Sequence, residues 1–113
     1  MHSRFHTVTL AGLLYGLLSF AAFAQDKTSE SKALHARTDA AMCANCHGSE
    51  GRAVKDSAVP SIAGLPRDYM VQQMHAFKDG SRPATIMHQL SKGYTDQQIE
   101  LIAGYFAAQK PQK

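Results

Sequence analysis

The sequence predicts an all-α fold in which three main helices are joined by long loops. No segment alternates apolar and polar residues as a half-buried strand would. The segment from Gly48 to Pro66 contains three glycines and two prolines, which is typical of a loop. The segments on either side of it have helical spacing. A loop of this length is unusual in a small domain unless it surrounds something.

The first two helices have clear sequence signals. Residues 33–42 contain strong helix formers and present a narrow face of small residues. The second helix is predicted from Pro66, a favoured first-turn residue, to Phe77. Asp79-Gly80 ends it, and Arg82-Pro83 holds the following chain extended.

The last helix has the strongest signal. Thr95 followed by Gln98 is a capping-box pattern. Ile99, Ile102 and Phe106 recur at helical spacing and are predicted to form the buried stripe. Lys110-Pro111 ends the helix.

The N-terminus resembles an export signal. A short basic region precedes Leu10–Phe23, which has no charged residue, and Ala22-Phe23-Ala24 supplies the small residues that signal peptidase requires. We therefore expect residues 1–24 to be a cleaved signal peptide, with cleavage before Gln25 and export to the periplasm. The alternative is an uncleaved anchor, but the apolar run is short for a membrane span, so no stable membrane anchor is expected.

Residues 25–32 are polar and are predicted to be a flexible leader, which leaves residues 33–110 as the one domain. After residue 24, only 22 apolar side chains are larger than alanine. A core this small usually needs a metal, disulfides or a cofactor. The charges are interspersed without a basic stripe, so nucleic acid is not an expected partner.

Both cysteines lie in Cys43-Ala44-Asn45-Cys46-His47, the C-x-x-C-H pattern of covalent haem c attachment. The two thiols add to the two vinyl groups of the porphyrin, and His47 then reaches the iron as its axial ligand. A redox-active disulfide would be expected within a βαβ pattern, which is missing from the sequence. A zinc site would need further cysteine or histidine ligands at a suitable spacing. The motif therefore predicts one haem c.

The second axial ligand must come from a distant part of the chain. The candidates are the methionines and histidines outside the motif, namely Met42, Met70, Met74, Met87, His35, His75 and His88. Met87 is favoured because it lies in an irregular segment between Pro83 and the last helix, where a loop can present sulfur to iron. His88 and an open site are the alternatives.

Several segments resemble class I cytochromes c, and most of all the cytochrome subunits of flavocytochrome c sulfide dehydrogenases. The resemblance covers residues 34–109. It is carried by five segments: Cys43–Gly48, Pro60–Pro66, Ala76–Gly80, Ala84–Met87 and Lys92–Thr95.

The resemblance implies a fold in which the first and last helices cross, with Ala36 or Ala40 against Gly104 and Tyr105. It also implies that Met87 is the distal ligand and that the carbonyl of Pro60 accepts a hydrogen bond from Nδ1 of His47. Some relatives carry two haem domains, whereas this chain has a single C-x-x-C-H motif.

These features predict a periplasmic electron carrier with no catalytic residues of its own. The resemblance implies that an FAD-containing flavoprotein donates electrons to the haem, and that another cytochrome or an oxidase accepts them. A free-standing carrier between respiratory complexes is the first alternative. A haem sensor with an open axial site is the second, and it would require Met87 not to bind iron.

Overall fold

The structure, a computed structural model, describes the backbone of residues 7–111 and the side chains of residues 27–111. The predicted signal peptide therefore falls outside the residues whose side chains are described. The chain forms two compact units, one ending at Lys32 and the other beginning at Ala33. In the part described, no helix has both the length and the apolar character required to cross a membrane.

The first helix, α1 (Thr7–His47), is much longer than predicted. It continues through residues 25–32, the segment for which the sequence predicts a flexible leader. This polar segment contains neither glycine nor proline, and each residue added to an existing helix forms another backbone hydrogen bond. At its other end α1 continues to His47 and therefore carries the whole C-x-x-C-H motif.

The other two main helices lie close to their predicted positions. Helix α2 (Arg67–Asp79) follows Pro66 and ends at Gly80, which has the left-handed conformation that favours glycine. Helix α4 (Asp96–Ala107) begins with the predicted capping box between Thr95 and Gln98. All regular elements among residues 7–111 are helical, which confirms the all-α prediction.

A short helix, α3 (Met87–Leu90), precedes α4 and is not predicted by the sequence pattern. It is followed by a 3₁₀ turn, Ser91–Gly93. Met87 is therefore the first residue of a one-turn helix and does not lie in an irregular segment. A single turn is too short to show helical spacing in the sequence, and the two backbone hydrogen bonds from Gln89 and Leu90 to the Ile86 carbonyl define it only in the folded chain.

The core lies between α1, α2 and α4. Its buried cluster consists of Ala40, Met70, Ile102, Ala103 and Phe106. Ile99, Ile102 and Phe106 are at most 5% exposed, which confirms the predicted stripe of α4. The first and last helices contact each other, since Gln98 Nε2 donates to Asp39 Oδ2 over 3.4 Å.

The residues expected at this crossing lie near the core. Ala40 belongs to the buried cluster, and Tyr105 packs against that cluster. A Cβ added at Gly104 would lie 3.9 Å from Nε of Arg67 in α2, which is an ordinary contact distance.

Candidate haem site

The two cysteines lie in the last two turns of α1. Their spacing of three residues places them on neighbouring positions of one helix face. Both are free, with Cys43 half-buried and Cys46 exposed. Burial raises the pKa of the Cys43 thiol, and a side-chain hydrogen bond with Tyr94 acts in the opposite direction. Among the described residues, no three His, Cys, Asp or Glu side chains lie close enough together to hold a metal ion by themselves.

His47 is the last residue of α1, and its ring is held by a backbone group from the following loop. Nδ1 lies 2.7 Å from the carbonyl oxygen of Pro60. A carbonyl can only accept, so Nδ1 carries the proton and donates it. The lone pair of Nε2 is then free to bind a metal, which is the usual arrangement of an axial histidine.

The position of Pro60 depends on a compact set of hydrogen bonds around Gly51. The Gly51 carbonyl oxygen accepts from the backbone N–H of Ile62 at 2.8 Å and of Ala63 at 3.0 Å. The Ser61 hydroxyl donates to the same oxygen over 2.8 Å. The residue directly after Pro60 and its two successors are thus fixed to one atom, and this holds the Pro60 carbonyl beside His47.

Gly51 must be glycine for this arrangement. Its φ is +80°, and a Cβ would lie 2.7 Å from Cδ1 of Phe106 and 2.9 Å from Cγ1 of Ile62. The loop is also tied to the last helix, because the N–H of Gly64 donates to the Phe106 carbonyl over 2.8 Å. The folding of α4 therefore helps to position the loop that orients His47.

Met87 is half-buried at the start of α3, and fewer contacts hold it. The N–H of Ser91 donates to its carbonyl oxygen. The preceding Ile86 is 58% exposed and Leu90, at the end of α3, is 46% exposed. This part of the structure presents apolar side chains that the protein itself does not cover.

The other candidate ligands have different surroundings. Met70 is buried in the core cluster, and Met42 is 66% exposed on α1. His75 lies 3.9 Å from a carboxylate oxygen of Asp96. His88, next to Met87, has a buried Nδ1 with no hydrogen-bond partner among the described residues.

The residues present fit a covalently bound porphyrin. The donor set contains two free thiols and an imidazole whose Nδ1 is engaged by Pro60. Val54, which is 76% exposed, joins Ile86 and Leu90 as large apolar side chains in the segments on either side of α2. Exposed apolar side chains in these two segments are compatible with a bound porphyrin, whose ring is itself apolar.

Comparisons with known proteins agree with this interpretation. The family model described as Cytochrome c matches residues 36–110. The cytochrome subunit of sulfide dehydrogenase from Chlorobaculum tepidum is 45% identical over 64 residues, which are 57% of this chain and 56% of that protein.

Two further relatives have other names. Cytochrome c4 of Pseudomonas aeruginosa is 41% identical over 71 residues, covering 63% of this chain and 35% of that protein. A thiosulfate dehydrogenase electron acceptor from Thiomonas intermedia is 34% identical over 73 residues, covering 65% and 34%. The chain thus spans between a third and somewhat over half of the length of these relatives.

Cys43 and Cys46 are the attachment points of one haem c.

Proposed function

Because the chain belongs to the cytochrome c family, we propose that it is the haem subunit that accepts electrons from an FAD-containing sulfide dehydrogenase. The observation that carries this proposal is the 45% identity to the cytochrome subunit of a sulfide dehydrogenase. The site described above is consistent with this role, because Cys43 and Cys46 can attach a haem and the oriented imidazole of His47 can bind its iron.

The residues of this chain have separate roles in electron transfer. Cys43 and Cys46 hold haem c, which supplies a reversible one-electron exchange when bound. His47 is the proximal ligand, and its Nδ1–H donates to Pro60 over 2.7 Å. This hydrogen bond fixes the orientation of the ring and increases the basicity of Nε2.

Met87 is the distal ligand of this proposal. Its thioether is a neutral donor that favours the ferrous state and so raises the potential. If His47 and Met87 both stay bound in the two oxidation states, the rearrangement on electron transfer would be small. The exposed side chains of Ile86 and Leu90, which flank Met87 in the chain, would shield a bound haem from water.

The flavoprotein would oxidise sulfide and pass electrons singly to this chain, which would pass them to another cytochrome or an oxidase. This division requires the flavoprotein to recognise the surface near the haem. Co-expression of the two proteins followed by affinity purification tests it directly. We expect a complex with FAD and haem c in equal amounts whose haem is reduced when sulfide is added.

A matched control in this experiment uses the Met87→Ala variant. It keeps both thioether attachments, so it should still co-purify with the flavoprotein, whereas reduction by sulfide should be slower because its potential is lower. Recovery of the wild-type chain without flavin, together with no reduction by sulfide in the presence of the flavoprotein, would contradict the proposal.

A free-standing electron carrier is the second candidate. Relatives named cytochrome c4 and thiosulfate dehydrogenase electron acceptor match residues of this same domain. In that case the purified chain would be free of flavin and would exchange electrons rapidly with a membrane-bound oxidase. The co-purification experiment therefore separates the two candidates.

We also propose that the chain is exported to the periplasm and cleaved before Gln25. This proposal rests on the apolar run from Leu10 to Phe23 and the small residues Ala22 and Ala24. Mass spectrometry of the protein from a periplasmic fraction should give a chain beginning at Gln25 with one haem attached. A haem-containing chain that begins at Met1 would contradict cleavage.

A further inference from the structure

Three successive hydrogen bonds connect helix α2 to Met87. Nζ of Lys78, in the last turn of α2, donates to the carbonyl oxygen of Tyr94 over 2.7 Å. The N–H of Tyr94 donates to the carbonyl oxygen of Ser91 over 3.3 Å. The N–H of Ser91 in turn donates to the carbonyl oxygen of Met87. The position of Met87 is therefore linked to a side chain of one of the main helices.

The middle of this connection is buried. Ser91 is fully buried, and its hydroxyl donates to the carbonyl oxygen of His88 over 3.4 Å. Helix α2 contacts both α3 and the 3₁₀ turn that contains Ser91. A buried backbone group that loses its partner cannot replace it with water, so such hydrogen bonds are costly to break. The turn at Ser91 therefore holds a defined position relative to α2.

The segment of residues 80–94, which carries Met87, is tied to α2 near both of its ends. Near its start, the N–H of Arg82 donates to the carbonyl oxygen of Ala76 over 2.9 Å. Near its end, Lys78 makes the contact already described, and its Nζ also lies 3.2 Å from Oδ1 of Asp96 at the start of α4. The first tie joins two backbone groups, whereas the second depends on the Lys78 side chain and can be removed by substitution.

We propose that Lys78 is a positioning residue that acts through Tyr94 and Ser91 to hold Met87 in place as the second axial ligand. The proposal rests on the assignment of Met87 to the iron under the proposed function. Hydrogen bonds outside the ligand set orient the ligands of a metal, and a charged donor forms a stronger hydrogen bond than a neutral one. Lys78 thereby favours Met87 over a ligand from solution.

The test measures imidazole binding to the ferric holoprotein, because imidazole must displace Met87 from the iron. Lys78→Met keeps an unbranched side chain and loses the donors. We expect the association constant for imidazole to rise about tenfold, since the loss of a charge-assisted hydrogen bond is large enough for this change. Lys92→Met, the matched control, removes the same charge from an exposed position of the same segment and should change the constant by less than about twofold. Lys78→Arg keeps a charged donor and should retain most of the wild-type behaviour.

The same substitution in the Met87→Ala background separates positioning from a general loss of stability. In that background the iron is already open to imidazole, so adding Lys78→Met should leave the association constant unchanged. A rise of the same size in both backgrounds would overturn the proposal. Equal constants for the single variants Lys78→Met and Lys92→Met would overturn it as well.

The single variant Met87→Ala tests the premise separately. It should bind imidazole more tightly than the wild type does. An unchanged constant would refute the assignment of Met87 to the iron and, with it, the proposal. A raised constant in Met87→Ala together with an unchanged one in Lys78→Met would refute the role of Lys78 alone and leave the proposed function intact.

NMR of the ¹⁵N-labelled wild-type holoprotein gives a second measurement, which needs no variant to fold. The ammonium protons of Lys78 should exchange with water more slowly than those of the exposed Lys92, because Tyr94 and Asp96 accept hydrogen bonds from them. Equally rapid exchange at the two lysines would overturn the proposal.

Discussion

The segments that carry His47 and Met87, the two proposed axial ligands, are built in different ways. On the His47 side, residues 47–64, the Gly51 carbonyl alone accepts three hydrogen bonds, and Pro60 orients the imidazole. On the Met87 side, residues 80–94, a one-turn helix carries Met87 between the exposed side chains of Ile86 and Leu90. The difference teaches that hydrogen bonds from the following loop position the His47 ring, whereas the segment that carries Met87 leaves two apolar side chains beside it exposed.

The largest expected effect comes from removing the haem. In the double variant Cys43→Ser, Cys46→Ser the apolar side chains on both sides of the site lose their partner. We expect the chain to be largely unfolded, because a core this small seldom folds without a cofactor. Far-UV circular dichroism during heating should show no cooperative transition. A sharp transition in this variant would mean that the hydrogen bonds of the His47 side are sufficient without haem.

The next largest effect is on stability, and it compares a glycine substitution on the His47 side with one on the Met87 side. Gly51→Ala places a Cβ within 3 Å of Phe106 and Ile62 at a φ of +80°. We expect a loss of roughly 2–5 kcal/mol in the free energy of unfolding, from backbone strain and overpacking. Gly93→Ala on the Met87 side is the matched control, since an added Cβ there meets nothing within 4 Å.

Gly93→Ala should change stability by less than about 0.5 kcal/mol. Denaturant unfolding of the ferric holoproteins measures both values. Similar losses in the two variants would remove the proposed difference between the sides of the site.

A substitution of the distal ligand should change the redox properties more than the fold. In Met87→Ala we expect haem to remain attached, carbon monoxide to bind the ferrous iron, and the equilibrium constant for reduction to fall by about tenfold or more, since the thioether favours the ferrous state. Potentiometric titration and carbon monoxide binding measure these changes. His88→Ala is the control, and a loss of the native spectrum in that variant instead would identify His88 as the ligand.

The smallest effect concerns the chain where α2 ends. Hydrogen bonds from the side chain and the backbone N–H of Ser81 lower the pKa of Asp79 below its ordinary value of 3.8. Because the folded pKa is the lower one, this carboxylate stabilises the protein above the unfolded pKa, and the contribution is lost as pH falls through the folded pKa. Asp79→Asn should therefore reduce the acid dependence of unfolding slightly below about pH 4.

Equilibrium unfolding of wild type and Asp79→Asn between neutral pH and about pH 3 tests this effect. The difference in stability between them should be present at neutral pH and shrink on acidification. A difference that grows on acidification would contradict the assigned direction.

Much of the fold could be predicted from the sequence because its signals are local. The capping box at Thr95, the stop at Gly80 and the stripe on α4 each depend on residues close together in the chain. The limits of α1 were not predictable in this way, because polar residues 25–32 lack both a helix breaker and a buried face. The single turn of α3 is too short to show a periodic pattern.

The candidate site was predictable to the same degree. The C-x-x-C-H pattern and Met87 could be named from sequence, and Pro60 from a resemblance, since these are fixed positions in a motif. The hydrogen bonds that converge on Gly51 could not be predicted, because they join residues on opposite sides of an irregular loop. Whether Met87 binds iron stays a prediction.

The central claim is that Pro60 holds the ring of His47 and that Met87 is the second axial ligand of a covalently bound haem. Proton NMR of the ferrous holoprotein tests it most directly. We predict a slowly exchanging Nδ1–H of His47 in wild type and in Met87→Ala, and a methionine methyl resonance shifted strongly by the porphyrin ring current in wild type only. A shifted methyl that persists in Met87→Ala would contradict the account.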